Sequence, residues 1–264
     1  MRPVDFRENL IIDQNHPILI QKAWRDHFQD GTAHLAAPHG EDALTWNVFR
    51  SLEKANQLEV VREFFGLTKP IQEILYWGCS PDAKSDAQQQ LSIAIRGLDG
   101  RCRGTMTEPD IVLLTEVEVC FREHKFRCGK EPWSAQKDGW INRWREYRAN
   151  GFENWLPEQP NDDHRRLYQL IRNAIYAQRL AERLGRKHAK VVSLVSRTRC
   201  QVYPGLKNQY EKFRAMTPIV TVDPLQYWED LHCQITRSVP EPLATRISRK
   251  MQQAFDALKS RHRV

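Results

Sequence analysis

One stretch constrains the fold of this chain more than any other: residues 107–126, Thr-Glu-Pro-Asp-Ile-Val-Leu-Leu-Thr-Glu-Val-Glu-Val-Cys-Phe-Arg-Glu-His-Lys-Phe. Residues 111–114 and 119–121 are short runs of apolar, β-branched and aromatic side chains, the composition that strands prefer. Thr115-Glu116-Val117-Glu118 separates them and has the length of a hairpin loop. Pairing Leu114 with Val119 sets Asp110 opposite Glu123. Directly opposed residues have Cβ atoms roughly 5 Å apart, so the two carboxylates repel unless a cation lies between them. Lys125, two positions after Glu123, projects from the same face. The hairpin thereby gathers two carboxylates and an ammonium on one side of a twisted ribbon. The plainer alternative is a surface hairpin with a solvated Glu123–Lys125 pair, which contributes only about 0–1 kcal/mol.

Pro109-Asp110, then twelve residues, then Glu123-His124-Lys125 resembles the PD-(D/E)XK motif of restriction-endonuclease-like nucleases. The resemblance implies an α/β fold: a restriction-endonuclease-like core with a central mixed β-sheet flanked by helices, and extra N- and C-terminal helices. It implies that Asp110 and Glu123 bind a divalent metal, Mg²⁺ with Mn²⁺ as a substitute. Lys125 then orients or activates the attacking water and offsets charge on the scissile phosphate. Such an ion is hard, prefers oxygen ligands and lowers the pKa of its bound water. Folds of this class often draw a further acid from a helix ahead of the first core strand. Glu41 takes that place as a third catalytic and metal-binding acid, with Asp42 behind it, although both also suit the first turn of a helix for its dipole alone. Residues 168–173 look like the helix that supplies auxiliary polar groups, here Gln169 and Arg172, against a reading of both as surface positions. The implied function is a metal-dependent endodeoxyribonuclease of restriction or defence type. The alternative is a nuclease-fold subunit that no longer cuts and instead binds DNA or serves as a scaffold. Arg122, where an apolar residue is usual, and the polar His124 depart from the family pattern.

Around this hairpin, hydrophobic periodicity predicts helices over 16–28, 41–53, 57–65, 86–98, 134–148, 164–184, 203–216, 225–235 and 241–259. Leu44, Val48, Phe49 and Leu52 share one face of the second. Strands are expected over 74–77, 191–195 and 219–222, the middle one a continuous apolar run suited to burial on both faces. Pro81-Asp82 is a rival dipeptide, but no Glu-X-Lys follows at hairpin distance, so it reads as a turn. Asp162 or Asp163 caps the helix over 164–184. In the helix over 134–148, Trp140, Trp144 and Tyr147 have core spacing. Arg143, Arg145 and Arg148 are then left as candidate nucleic-acid contacts. One nuclease domain over 1–264 is expected, with a core at about 41–195, a helical extension over 1–40 and helical and strand additions over 196–264.

Composition sets the remaining bounds. With 41% hydrophobic and 28% charged residues, a chain of 264 builds a globular core. Forty Lys and Arg against 33 Asp and Glu give +7 and a pI near 9.1, a modest bias toward a polyanion. The expected partner is nucleic acid, double-stranded DNA foremost. Cutting both strands implies a homodimer or a partner subunit of a defence system. Six cysteines stand without Cys-X-X-Cys spacing, as reduced thiols in a cytoplasmic protein would. A zinc site from Cys120, His124 and Cys128 needs a helix where the hairpin is extended. No membrane partner is expected, because no run approaches the ~20 apolar residues of a spanning helix and residues 1–8 lack a signal-like apolar core. No GxxxxGK[ST] loop is present, which argues against a nucleotide-hydrolysing motor.

Overall fold

Strands β2 (Ile111–Thr115) and β3 (Glu118–Lys125) alternate between two apolar surroundings. Val112, Leu114, Val119 and Phe121 face one hydrophobic cluster; Ile111, Leu113, Cys120 and Phe126 face the other. Strands buried on both sides need a helical layer over each face, and the rest of the chain supplies them. The structure is a computed structural model and describes residues 6–30, 34–36, 40–82, 85–99, 109–126, 131–135 and 139–261.

The elements follow in chain order. Helix α1 is Pro17–Asp30; α2 (Glu41–Thr45) runs on through a π-turn at Trp46–Arg50 into α3 (Ser51–Lys54); α4 is Leu58–Phe64. After β1 (Ile71–Tyr76) and α5 (Asp86–Asp99) comes the β2–β3 hairpin, then α6 (Trp140–Tyr147), α7 (Asp162–Arg166) and α8 (Tyr168–Arg183). Strand β4 (His188–Val195) precedes α9 (Arg197–Val202), α10 (Gly205–Met216), the two-residue strands β5 (Thr221–Val222) and β6 (Gln226–Tyr227), α11 (Trp228–Ser238) and α12 (Leu243–Arg261). Among the described residues they form one six-stranded sheet of order β1-β2-β3-β4-β5, with β6 also on β4. The pairs β1–β2 and β2–β3 are antiparallel, and β3–β4, β4–β5 and β4–β6 are parallel, so the sheet is mixed. Residues of α5, α6, α8 and α10 cover one face; residues of α1, α2, α4, α11 and α12 cover the other. The sheet therefore does not end at 195: β5 and β6 extend it past the expected core.

The hairpin turn is tighter than the four-residue loop expected. Thr115 Oγ1 accepts from the N–H of Val117 (3.2 Å) and of Glu118 (2.9 Å), which leaves Glu116 and Val117 as the link. The helix expected over 134–148 begins only at Trp140; residues 136–138 lie outside the described residues. That over 203–216 is α10, starting at Gly205, with the short α9 ahead of it not expected, and the strand over 219–222 shrinks to two residues.

The helix expected over 164–184 starts two residues early, at Asp162. Asn161, not Asp162 or Asp163, is the cap: its side chain accepts from the His164 N–H at 3.2 Å while His164 Nδ1 accepts from the Asn161 N–H at 3.2 Å. The helix then breaks at Leu167 before α8. Asn161→Ala is expected to lower stability by about 1 kcal/mol; an unchanged thermal midpoint would show that α7 holds without its cap. At the far end, Gly185 takes φ +63, and Arg186 N–H bonds the Ala181 carbonyl at 2.8 Å, a left-handed cap that turns the chain into β4. No described helix is long and apolar enough to cross a membrane.

Candidate active site

The β2–β3 register pairs Leu114 with Val119 and Ile111 with Arg122, as the hydrophobic pattern predicts. Continuing that register by one position sets Asp110 against Glu123, where β3 is still paired to β4. Asp110 is held from two sides. Its Oδ2 accepts from the His124 N–H at 2.6 Å, and its carbonyl accepts from the Trp77 N–H at 3.1 Å. Glu123 is 4% exposed. Its Oε1 lies 2.7 Å from Lys125 Nζ and its Oε2 accepts from Asn173 Nδ2 at 2.7 Å. With its amide nitrogen turned toward the acceptors, Gln169 donates to Glu123 Oε1 at 3.1 Å and to the Pro132 carbonyl at 3.2 Å. The hairpin and α8 thus bring Asp110, Glu123, Lys125 and Gln169 together.

Burial pushes the Asp110 carboxyl well above the usual carboxylate range, and the neighbouring Glu123 and Asp42 push it further; Lys125 and the His124 N–H oppose them. The shift implies a stability consequence of definite sign. Between the unfolded value of about 4 and the higher folded value, the folded chain keeps a proton that the unfolded chain has released. Stability therefore falls as pH rises through that window and stays lower above it. Asp110→Asn keeps an acceptor for the His124 N–H and has no carboxylate to ionise. It is expected to raise the thermal midpoint at neutral pH, with the gain vanishing as pH falls below about 4. A gain that does not change with pH, or a loss at neutrality, would contradict this account.

The acids of α2 diverge, since adjacent helical residues point about 100° apart. Glu41 Oε1 accepts from the Phe126 N–H at 2.7 Å, bracing the end of β3. Asp42 accepts from Trp77 Nε1 at 2.9 Å, lies 3.1 Å from Lys22 Nζ, and is within electrostatic reach of Asp110. Among the described residues no three of His, Cys, Asp and Glu are grouped so as to hold a metal ion. The structure therefore does not assemble Glu41 with Asp110 and Glu123 as a triad. The pair Asp110 and Glu123 remains a suitable donor set, because Mg²⁺ keeps several waters and is usually bound through one or two carboxylates.

Asn173 was not singled out from sequence, although it stands one turn after Gln169 on the same face. Arg172 is 2% exposed, not a surface residue. The two residues that depart from the family pattern are both buried in the other layer. His124 packs against Phe49 and Trp228 with ring centroids 5.4 and 5.1 Å away, and its Nδ1 lies 2.6 Å from Thr45 Oγ1. Burial lowers its pKa well below the ordinary value, which keeps it neutral. Cys128, the third residue of the zinc alternative, lies outside the described residues. Trp144 and Tyr147 are core, as their spacing predicts. The three candidate arginines differ in surroundings: Arg145 is exposed, Arg143 is half-buried within electrostatic reach of Asp99, and Arg148, just past α6, donates from Nε to the Leu156 carbonyl at 3.0 Å. Comparison of the chain with protein-family models, with curated proteins and with solved structures gives no match.

Proposed function

We propose that this protein is a metal-dependent endodeoxyribonuclease, with Asp110, Glu123 and Lys125 as its catalytic residues. The observation that carries the reading is the meeting of these three side chains at one end of a mixed sheet, with Gln169 and Asn173 donating to Glu123 from α8. A bound Mg²⁺ supplies an acidified water and charge neutralisation at the phosphate. The chain's own residues do the rest. Asp110 and Glu123 offer oxygens on neighbouring strands; Asn173 and Gln169 fix the Glu123 carboxylate in rotation. Lys125 Nζ, already 2.7 Å from Glu123 Oε1, orients the attacking water and stabilises the phosphate as negative charge grows on it. The water oxygen bonds phosphorus as the P–O3′ bond breaks, leaving a 5′-phosphate and a 3′-hydroxyl. Double-stranded DNA is the proposed substrate and +7 favours its approach; two copies, or a partner subunit, would cut both strands.

The second reading is a non-cutting DNA-binding or scaffolding subunit of the same fold. It is favoured by Glu41, whose carboxylate braces Phe126 and does not join the other two acids. Plasmid DNA incubated with Mg²⁺ or Mn²⁺ decides between them. Nicking or linearisation by the parent chain that is lost in Glu123→Gln supports the enzyme. A parent inert on plasmid, single-stranded DNA and RNA with either metal supports the non-cutting subunit.

A further inference from the structure

Arg172 is a nearly buried cation, 2% exposed, with one nitrogen left without an acceptor among the described residues. It lies on α8 between Gln169 and Asn173, and its Nε has no hydrogen-bond partner among the described residues. Glu123 is within electrostatic reach. Its oxygens, however, already face Lys125, Gln169 and Asn173. On the other flank the hydroxyls of Tyr176 and Tyr147 both donate to Asp99 Oδ1, at 2.7 and 3.0 Å, so that oxygen of Asp99 is taken by the tyrosines. The guanidinium carbon sits 5.9 Å from the Tyr176 ring centroid. Beside it, Asn173 Oδ1 also lacks a partner among the described residues. A desolvated donor without an acceptor is costly to keep, and here the unmet donor belongs to a cation within electrostatic reach of Glu123 of the candidate site.

We propose that Arg172 is the phosphate-receiving group of this site: its planar fork takes the non-bridging oxygens of a phosphate of the polynucleotide, next to Asp110, Glu123 and Lys125. A guanidinium matches phosphate bidentately, which an ammonium cannot do. The tyrosines and Glu123 sustain its charge against burial, so the fork stays cationic at any working pH. The polynucleotide as the source of the phosphate rests on the nuclease reading; binding of the phosphate group itself does not.

The test uses the full chain without divalent metal, titrated with inorganic phosphate and followed by ³¹P line broadening. Saturable binding is expected in the parent, weakened at least tenfold in Arg172→Met. Arg172→Lys, which keeps the charge and loses the fork, is expected to lose most of the affinity too, and it stands in should the methionine variant not fold. No saturable binding in the parent, equal binding in Arg172→Met, or parent-like binding in Arg172→Lys overturns the proposal. Phosphate binding that follows this pattern in a protein inert on plasmid would retain Arg172 as the phosphate group and discard the nuclease reading.

Discussion

Lys125→Ala is expected to reduce metal-dependent cleavage on the order of 10³-fold, the scale seen when one group that stabilises transition-state charge is removed. The same substitution has a structural effect. Lys125 and Glu123 are 12% and 5% exposed as side chains and 2.7 Å apart, so the ammonium is the nearest compensating charge for a nearly buried carboxylate. Its loss leaves Glu123 with the Asn173 and Gln169 amides and the charge of Arg172, which makes no hydrogen bond to it, and a stability decrease of about 1–3 kcal/mol follows. The two effects separate by measurement. Circular dichroism and a thermal midpoint report the fold, and cleavage below the midpoint reports the chemistry. Near-parent cleavage by a folded Lys125→Ala would remove the lysine from the mechanism.

Arg122→Met is expected to stabilise the protein, by about 1–4 kcal/mol, the range found when buried ionic groups are replaced by apolar ones of similar volume. Arg122 is fully buried in the middle of β3, and none of its three nitrogens has a hydrogen-bond partner among the described residues. Its guanidinium lies over the Phe65 ring, 3.6 Å from the centroid. That contact offsets about 2 kcal/mol when desolvated. Glu118 and Asp223 add distant compensation. Against these stands the cost of removing a cation from water, which burial expresses as a lowered pKa. At about 2–4 °C per kcal/mol for a chain of this size, the gain is readily measured. A lower midpoint in Arg122→Met would mean that Phe65 and the two acids hold the charge better than water does.

What could be read from the sequence follows what local pattern can encode. The hairpin register was legible because side chains alternate with a period of two, and a one-residue slip would have reversed every apolar residue between the layers. That alternation alone set Asp110 against Glu123 and put Lys125 on the Glu123 face. The core role of Trp144 and Tyr147 followed in the same way from helical spacing. Other features depend on tertiary placement. Asn173 reaches Glu123 only because α8 lies across β3 and β4 in one rotation. Glu41 and Asp42 were both candidates for the site, and only the docking of α2 decides that Glu41 takes the Phe126 N–H while Asp42 comes within electrostatic reach of Asp110. Two-residue strands such as β5 and β6 have too few residues to show a period at all. Arg122 was visible as an anomaly, but its place against Phe65 requires α4 to fold back over the sheet.

The claim that most needs testing is that Asp110 and Glu123 grip a divalent ion together. Calorimetric titration of the parent chain and of Asp110→Ala with Mn²⁺ tests it without relying on turnover. Saturable binding by the parent that disappears in the variant is the predicted result; no binding by the parent, or the same isotherm for both proteins, would contradict it.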